Sequence, residues 1–202
     1  AQRLTVKQRE IVYPKLDGRI QVRASDVDTV DGWLGTLGLI DEIHRHKKPD
    51  LYGVIRDGLG GRDGQMATIS TAGADQNSVL WRMRQAAVDM GVKRNGAYMR
   101  AGSKSFVLHE WSLTPYQDLD DVALVKEANP LEAMTVDRLQ ERHDSPSMVP
   151  WQWARFAANI WTQGDEAWLP IGTWEGCRVG TGKPEAGEDV YLGIDLGLKH
   201  DT

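Results

Sequence analysis

The stretch Leu37-Gly38-Leu39-Ile40-Asp41-Glu42 constrains this chain more than any other. A short uncharged run, too brief for a helix, passes straight into two adjacent carboxylates. Such a run reads as a buried strand of a parallel sheet, apolar on both faces because helices cover both. A strand ending in acids sets them at the carboxyl edge of the sheet, where open α/β sheets bind their ligands. Asp-Glu also follows an apolar run wherever a strand simply leaves into solvent, so the pair alone does not define a chemistry.

A second strand of the same kind follows. Met66-Ala67-Thr68-Ile69-Ser70 leads into Thr71-Ala72-Gly73, a small, hydroxyl-rich turn. Between the two, Pro49 to Asp57 suits a short helix with proline in its first turn. Gly58, Gly60, Gly61 and Gly64 then mark a turn-rich connection. Asn77 or Ser78 can cap a helix running to Met90, with Val79, Leu80, Met83, Ala86, Ala87 and Met90 on one face and Gly91 ending it. Elsewhere, alternation of Ile20, Val22 and Ala24 predicts a strand over 18–25, and 26–35 reads as an acidic loop. Phe106 to Leu108 is a third strand. Helices are expected at 119–128 and 135–142 around the break at Asn129-Pro130, and an aromatic-rich one at 151–161. Residues 176–189, rich in glycine and charge, read as an exposed linker, and Tyr191 to Ile194 begins another strand. Strands alternating with helices predict a mostly parallel α/β sheet.

Composition narrows the function classes. With 202 residues, 41% hydrophobic and 26% charged, the chain is an ordinary globular one and not a disordered tail. Its net charge of −5 excludes a uniformly basic nucleic-acid coat. One cysteine, Cys177, excludes a disulfide framework and a four-cysteine zinc site and fits a reducing compartment. No run of apolar residues is long enough to span a membrane.

Adjacent carboxylates at a strand end have a specific use in nucleotide hydrolysis: one holds Mg²⁺, directly or through water, and the next orients or deprotonates the attacking water. This is the Walker B arrangement. A hydroxyl-rich turn on the neighbouring strand can sense the γ-phosphate. It is equally a plain strand-to-helix turn with a Ser/Thr cap.

Residues 41–52 (Asp41-Glu42-Ile43-His44-Arg45-His46-Lys47-Lys48-Pro49-Asp50-Leu51-Tyr52), followed by Thr68 to Gly73, resemble the large terminase subunit of tailed bacteriophages, in which an ATPase motor is fused to a DNA-cutting nuclease. Leu124-Val125-Lys126-Glu127-Ala128-Asn129-Pro130, then Arg155-Phe156-Ala157-Ala158-Asn159-Ile160-Trp161 with Trp168-Leu169, then Tyr191-Leu192-Gly193-Ile194-Asp195-Leu196-Gly197 through Asp201 continue the likeness in order. The resemblance implies the C-terminal part of a RecA-like P-loop ATPase sheet over 1–114, a helical Trp-rich subdomain over 115–175, a linker over 176–189 and the first strand of a ribonuclease-H-like nuclease from 190. It implies that Asp41 helps hold Mg²⁺ with ATP, that Glu42 is the catalytic base, and that Ser70, Thr71, Ala72 and Gly73 couple hydrolysis to DNA movement. Asp195, with Asp201 beside it, would be metal-binding nuclease carboxylates using Mg²⁺ or Mn²⁺, a chemistry that employs two metal ions. The implied partners are double-stranded DNA, the small terminase subunit, the portal of the procapsid and further copies of the motor, in the cytoplasm of the bacterial host.

The chain also departs from that family. No G-x-x-x-x-G-K-[ST] loop occurs, and Gly180-Thr181-Gly182-Lys183 fails because Cys177 and Pro184 stand where a glycine and a hydroxyl belong. The missing initiator methionine and the ending just after a strand-like run lead to the expectation of a piece of a longer protein, incomplete for both reactions. Gly58-Leu59-Gly60-Gly61 is not completed as a dinucleotide loop, and His109-Glu110 lacks a second zinc-protease histidine at Leu113. His44 and His46 have strand-like spacing suited to a metal, but such residues more often are solvated or hold a loop. Six Lys/Arg (Arg82, Arg84, Lys93, Arg94, Arg100, Lys104) stand against Asp89 alone over 76–109, whereas 111–144 carries eight acids against three bases. The first stretch can face DNA or a neighbouring subunit. Competing readings are a DExH-type nucleic-acid helicase, for which Asp41-Glu42-Ile43-His44 and Ser70-Thr71-Ala72 also suit, and a non-enzymatic interaction domain with a degenerate ATPase core.

Overall fold

The computed structural model describes residues 4–24, 32, 34–46, 50–162 and 186–187. Among these, the chain is a mixed α/β protein with three small sheets. β1 (Thr5–Lys7), β2 (Glu10–Tyr13) and β3 (Gly18–Gln21) form an antiparallel meander, with Ile11 opposite Ile20. Two of its apolar side chains remain in solvent, Val6 and Ile20 at 71% and 68% exposed, whereas Val12 and Tyr13 are half-buried.

β4 (Leu37–Asp41) and β5 (Gln65–Ile69) pair in parallel, from Leu37 opposite Gln65 to Asp41 opposite Ile69. Parallel neighbours need a crossover, and α1 (Asp50–Gly60) supplies it. Close packing of this helix requires glycine in the strand. A Cβ on Gly38 would lie 2.8 Å from Ile55 Cγ2, and one on Gly64 would lie 2.8 Å from Leu59 Cδ2. Gly38 and Ile40 face the helix and are buried. Leu37, Leu39 and Ile69 point the other way and are 52%, 71% and 69% exposed. The expectation of strands buried on both faces therefore holds for one face only among the described residues.

α2 (Val79–Asp89) begins where expected, with Ser78 Oγ accepting from the Trp81 N–H at 3.2 Å. Gly91, at φ +126, turns the chain out of it. β6 (Val92–Asn95), β7 (Tyr98–Gly102) and β8 (Val107–Trp111) follow as an antiparallel sheet, and α2 packs against it. The mostly parallel sheet expected from the sequence is thus corrected: the parallel pairing among the described residues is the β4–β5 pair. The overlooked signal was Asn95-Gly96, which opens the β6–β7 hairpin. Gly96 takes φ +56, the conformation such two-residue loops demand.

α3 (Val122–Glu127), α4 (Val136–His143) and α5 (Pro150–Phe156) build the helical part. Asp121 caps α3 and Thr135 caps α4. The principal core lies here, with Val125, Leu139 and Ala158 excluded from solvent around Trp153 and Ile160. Trp153 Nε1 donates to the Leu119 carbonyl at 2.7 Å, which gives the buried indole its partner. The helix expected over 151–161 stops at Phe156, because Asn159 turns left-handed at φ +54.

Candidate functional site

The parallel pairing carries the two motif segments to the same sheet edge. One residue beyond β4, the Glu42 N–H donates to the Ile69 carbonyl at 2.8 Å. Glu42 takes a left-handed backbone, φ +51, which costs a non-glycine residue roughly 1–2 kcal/mol. The chain turns at once into a 3-10 turn, Ile43–Arg45, that buries Ile43 and folds His44 inward.

His44 then joins the two motifs. Its side chain is 2% exposed, with Nδ1 2.8 Å from Ser70 Oγ and 3.1 Å from Glu42 Oε2. The His44 N–H also donates to Ser70 Oγ at 3.3 Å. Of the two Nδ1 contacts, the one to Ser70 is the hydrogen bond, and Glu42 Oε2 stands beside it as a neighbouring charge. Burial pushes the imidazole below the ordinary histidine value; the charge of Glu42 opposes this, and Arg155 and Arg45 add to it. His46 lies against the Asp41 carbonyl, with Nε2 3.0 Å away. The 3-10 turn, in place of an extended strand, sends the two histidines to different partners. No group of three or more His, Cys, Asp or Glu side chains is placed to hold a metal among the described residues.

The turn after β5 is gripped by residues 83 and 87 positions further along the chain. The Ala72 N–H donates to Asn159 Oδ1 at 2.7 Å, and Arg155 Nε donates to the Ala72 carbonyl at 3.1 Å. Gly73 lies under Trp161, where a Cβ would come within 2.8 Å of the indole. Trp161 in turn meets Trp81 edge-on at 4.8 Å. Asn159 reaches a third element as its Nδ2 donates to the Trp111 carbonyl at 2.9 Å. Among the described residues, Thr71 Oγ1 is buried without a hydrogen-bond partner, a condition that costs about 1–3 kcal/mol.

Asp41 and Glu42 are therefore brought together with Ser70, Thr71, Ala72 and Gly73. Asp41 is exposed, with no side-chain partner among the described residues, and Glu42 is 42% exposed. Ser70 to Ala72 also line an open cleft of about 1070 Å³ between β5 and β8. Asp195 and Asp201 lie outside the described residues, as does the strand expected at 191–194. Sequence reasoning offered His44 only as a metal or loop residue and Arg155, Asn159 and Trp161 only as part of the family resemblance or of packing; their contacts with the turn come from the fold. The signal for Asn159 was a helix end, where asparagine tolerates the left-handed conformation better than most residues.

The basic stretch is split by the structure. Arg84 is not a free cation: its Nε and Nη2 donate to Glu110 at 2.6 and 2.9 Å, and its guanidinium lies over Trp81. Arg94 donates to the Ser112 carbonyl at 2.6 Å.

A parallel strand pair with a helical crossover, an acid pair and a hydroxyl turn at one edge belongs to the mixed α/β class and is compatible with an ATPase domain. Residues 1–88 match the family described as terminase large subunit, ATPase domain. The match supports a terminase large subunit, in part: it spans both motif segments and ends within α2, before β6. No curated protein and no solved structure matches the chain.

Proposed function

We propose that this chain is part of a phage DNA-packaging motor, in which Glu42 serves as the base for ATP hydrolysis and Ser70 to Gly73 couple hydrolysis to DNA movement. The observation that carries the reading is the Glu42–His44–Ser70 network across the β4–β5 pair. The family match over 1–88 favours it over a helicase or a degenerate interaction domain.

Mg²⁺ is the metal this family's ATPase reading implies. Asp41 offers a free carboxylate, a hard oxygen donor, and Mg²⁺ typically takes one or two carboxylates together with phosphates and waters. The residues fit: Asp41 would hold the ion, which when bound neutralises charge on the phosphates. Glu42, oriented by His44, accepts the proton of the attacking water. Ser70 shares the same histidine, so a displacement of Glu42 is felt at the turn. Arg155 and Asn159 hold the backbone of that turn and pass the displacement toward α5 and β8. Nuclease action through Asp195 and Asp201, and the partnership with double-stranded DNA, small subunit, portal and further motor copies, rest on the sequence resemblance.

Glu42→Gln in the intact protein tests the hydrolytic role. ATP hydrolysis is expected to fall by at least roughly 100-fold with ATP binding retained. Unchanged hydrolysis would overturn the assignment. Asp195→Ala is expected to stop cutting and spare translocation.

A further inference from the structure

The outer face of the β6–β7–β8 sheet, opposite α2, carries a second pattern that hydrolysis does not use. Residues directly across from one another in antiparallel strands share a face. Lys93, Arg100 and His109 form one such row, and Asn95, Tyr98 and Trp111 the next. The inner face behaves as a core face should, with Met99, Ala101 and Glu110 buried. The outer face does not: Lys93, Arg100 and His109 are exposed and Trp111 is 36% exposed.

Two features of this face point to a ligand. Lys93 lies directly opposite Arg100, and like charges in that relation destabilise a sheet. Among the described residues neither forms an ion pair and no carboxylate occupies the face; Glu127 approaches only at the Gly96 turn. An anion is what such a row lacks. Beside the row, the Tyr98 and Trp111 rings lie 5.0 Å apart, and His109 Nδ1 is 2.8 Å from the Tyr98 hydroxyl. These contacts fix a cluster of rings next to the cations, with the Trp111 indole tilted 39° from the Tyr98 ring.

We propose that this face binds a single strand of nucleic acid, with Lys93 and Arg100 on its phosphates and Tyr98 and Trp111 stacked on its bases. A duplex offers phosphates but keeps its base faces covered, so it would leave the rings unused; an unpaired strand uses both halves. The site is independent of ATP hydrolysis and stands or falls apart from the role of Glu42.

The test is fluorescence anisotropy of a labelled oligothymidylate of about 15 nucleotides with the full chain, read across a salt series. Lys93→Gln with Arg100→Gln should flatten the dependence of log affinity on log salt by roughly 1.4, two phosphates' worth for a single strand. Trp111→Ala should weaken binding roughly tenfold or more with the salt slope unchanged, and Trp111→Phe should restore most of it. Binding of a matched duplex should ignore Trp111→Ala. Affinity insensitive to all three variants, or duplex binding that falls with Trp111→Ala as single-strand binding does, would overturn the proposal. Helical circular dichroism on each variant separates lost binding from lost fold.

Discussion

The β4–β5 pair and the helical cluster show two ways of being held. In the helical part, Leu139 and Val125 are fully enclosed in one apolar cluster that also holds Trp153 and Ile160. In the parallel pair, α1 covers one face while Leu37, Leu39 and Ile69 stay in solvent on the other. Apolar burial holds the first region. In the second, directional contacts do much of the work: the backbone ladder, the His44 hydrogen bonds and the clamp from Arg155 and Asn159. The lesson is that the edge carrying the acid pair is positioned by hydrogen bonds that can rearrange, whereas the region gripping it is positioned by packing that cannot.

Mutations should separate the two. Leu139→Ala is expected to cost about 3–5 kcal/mol in chemical unfolding, whereas Leu39→Ala, on the open face, should cost under about 0.5 kcal/mol. Equal effects would break the comparison. Gly73→Ala should follow at roughly 1–3 kcal/mol, since its Cβ collides with the Trp161 ring; a neutral result would mean that the turn is not clamped. Thr135→Ala should cost about 1 kcal/mol through the lost cap of α4.

Acidity sharpens the contrast, because two histidines respond with opposite signs. Burial holds His44 below the usual 6.5, so the native edge disfavours its protonation. Stability there is present above that value and declines as pH falls through it. His143 is held above 6.5, chiefly by its hydrogen bond to Asp144 and then by Asp120. Its contribution is complete below the ordinary value and disappears as pH rises through the raised one. Hydrogen-exchange protection, taken relative to the intrinsic rate at each pH, should therefore fall for the Glu42 and His44 amides between pH about 7.5 and 5.5, with α4 still protected. Loss of protection in α4 first would reverse the assignment of the two regions.

What the sequence revealed follows from how local each signal is. β4, β5, α1 and the Ser78 cap rest on runs and caps within a few residues, and all were readable. The hairpin at Asn95-Gly96 rests on an equally local signal, a glycine at positive φ between two short strands. The exposure of Leu39 was not readable, since an apolar run declares what a strand can bury and not whether a partner is present. Nor was the clamp: Asn159 meets Ala72 across 87 positions of sequence, and the inward fold of His44 depends on the left-handed turn at Glu42. The basic stretch was legible as charge, yet only the fold separates Arg84, neutralised by Glu110, from Lys93 and Arg100 on the open sheet.

The central claim is that the acid pair and the hydroxyl turn act as one unit through His44. A double-mutant cycle of Glu42→Gln and Ser70→Ala on ATP hydrolysis by the intact protein tests it directly. Coupled residues give non-additive losses, so the double variant should be little slower than Glu42→Gln alone. Losses that multiply independently would contradict the account.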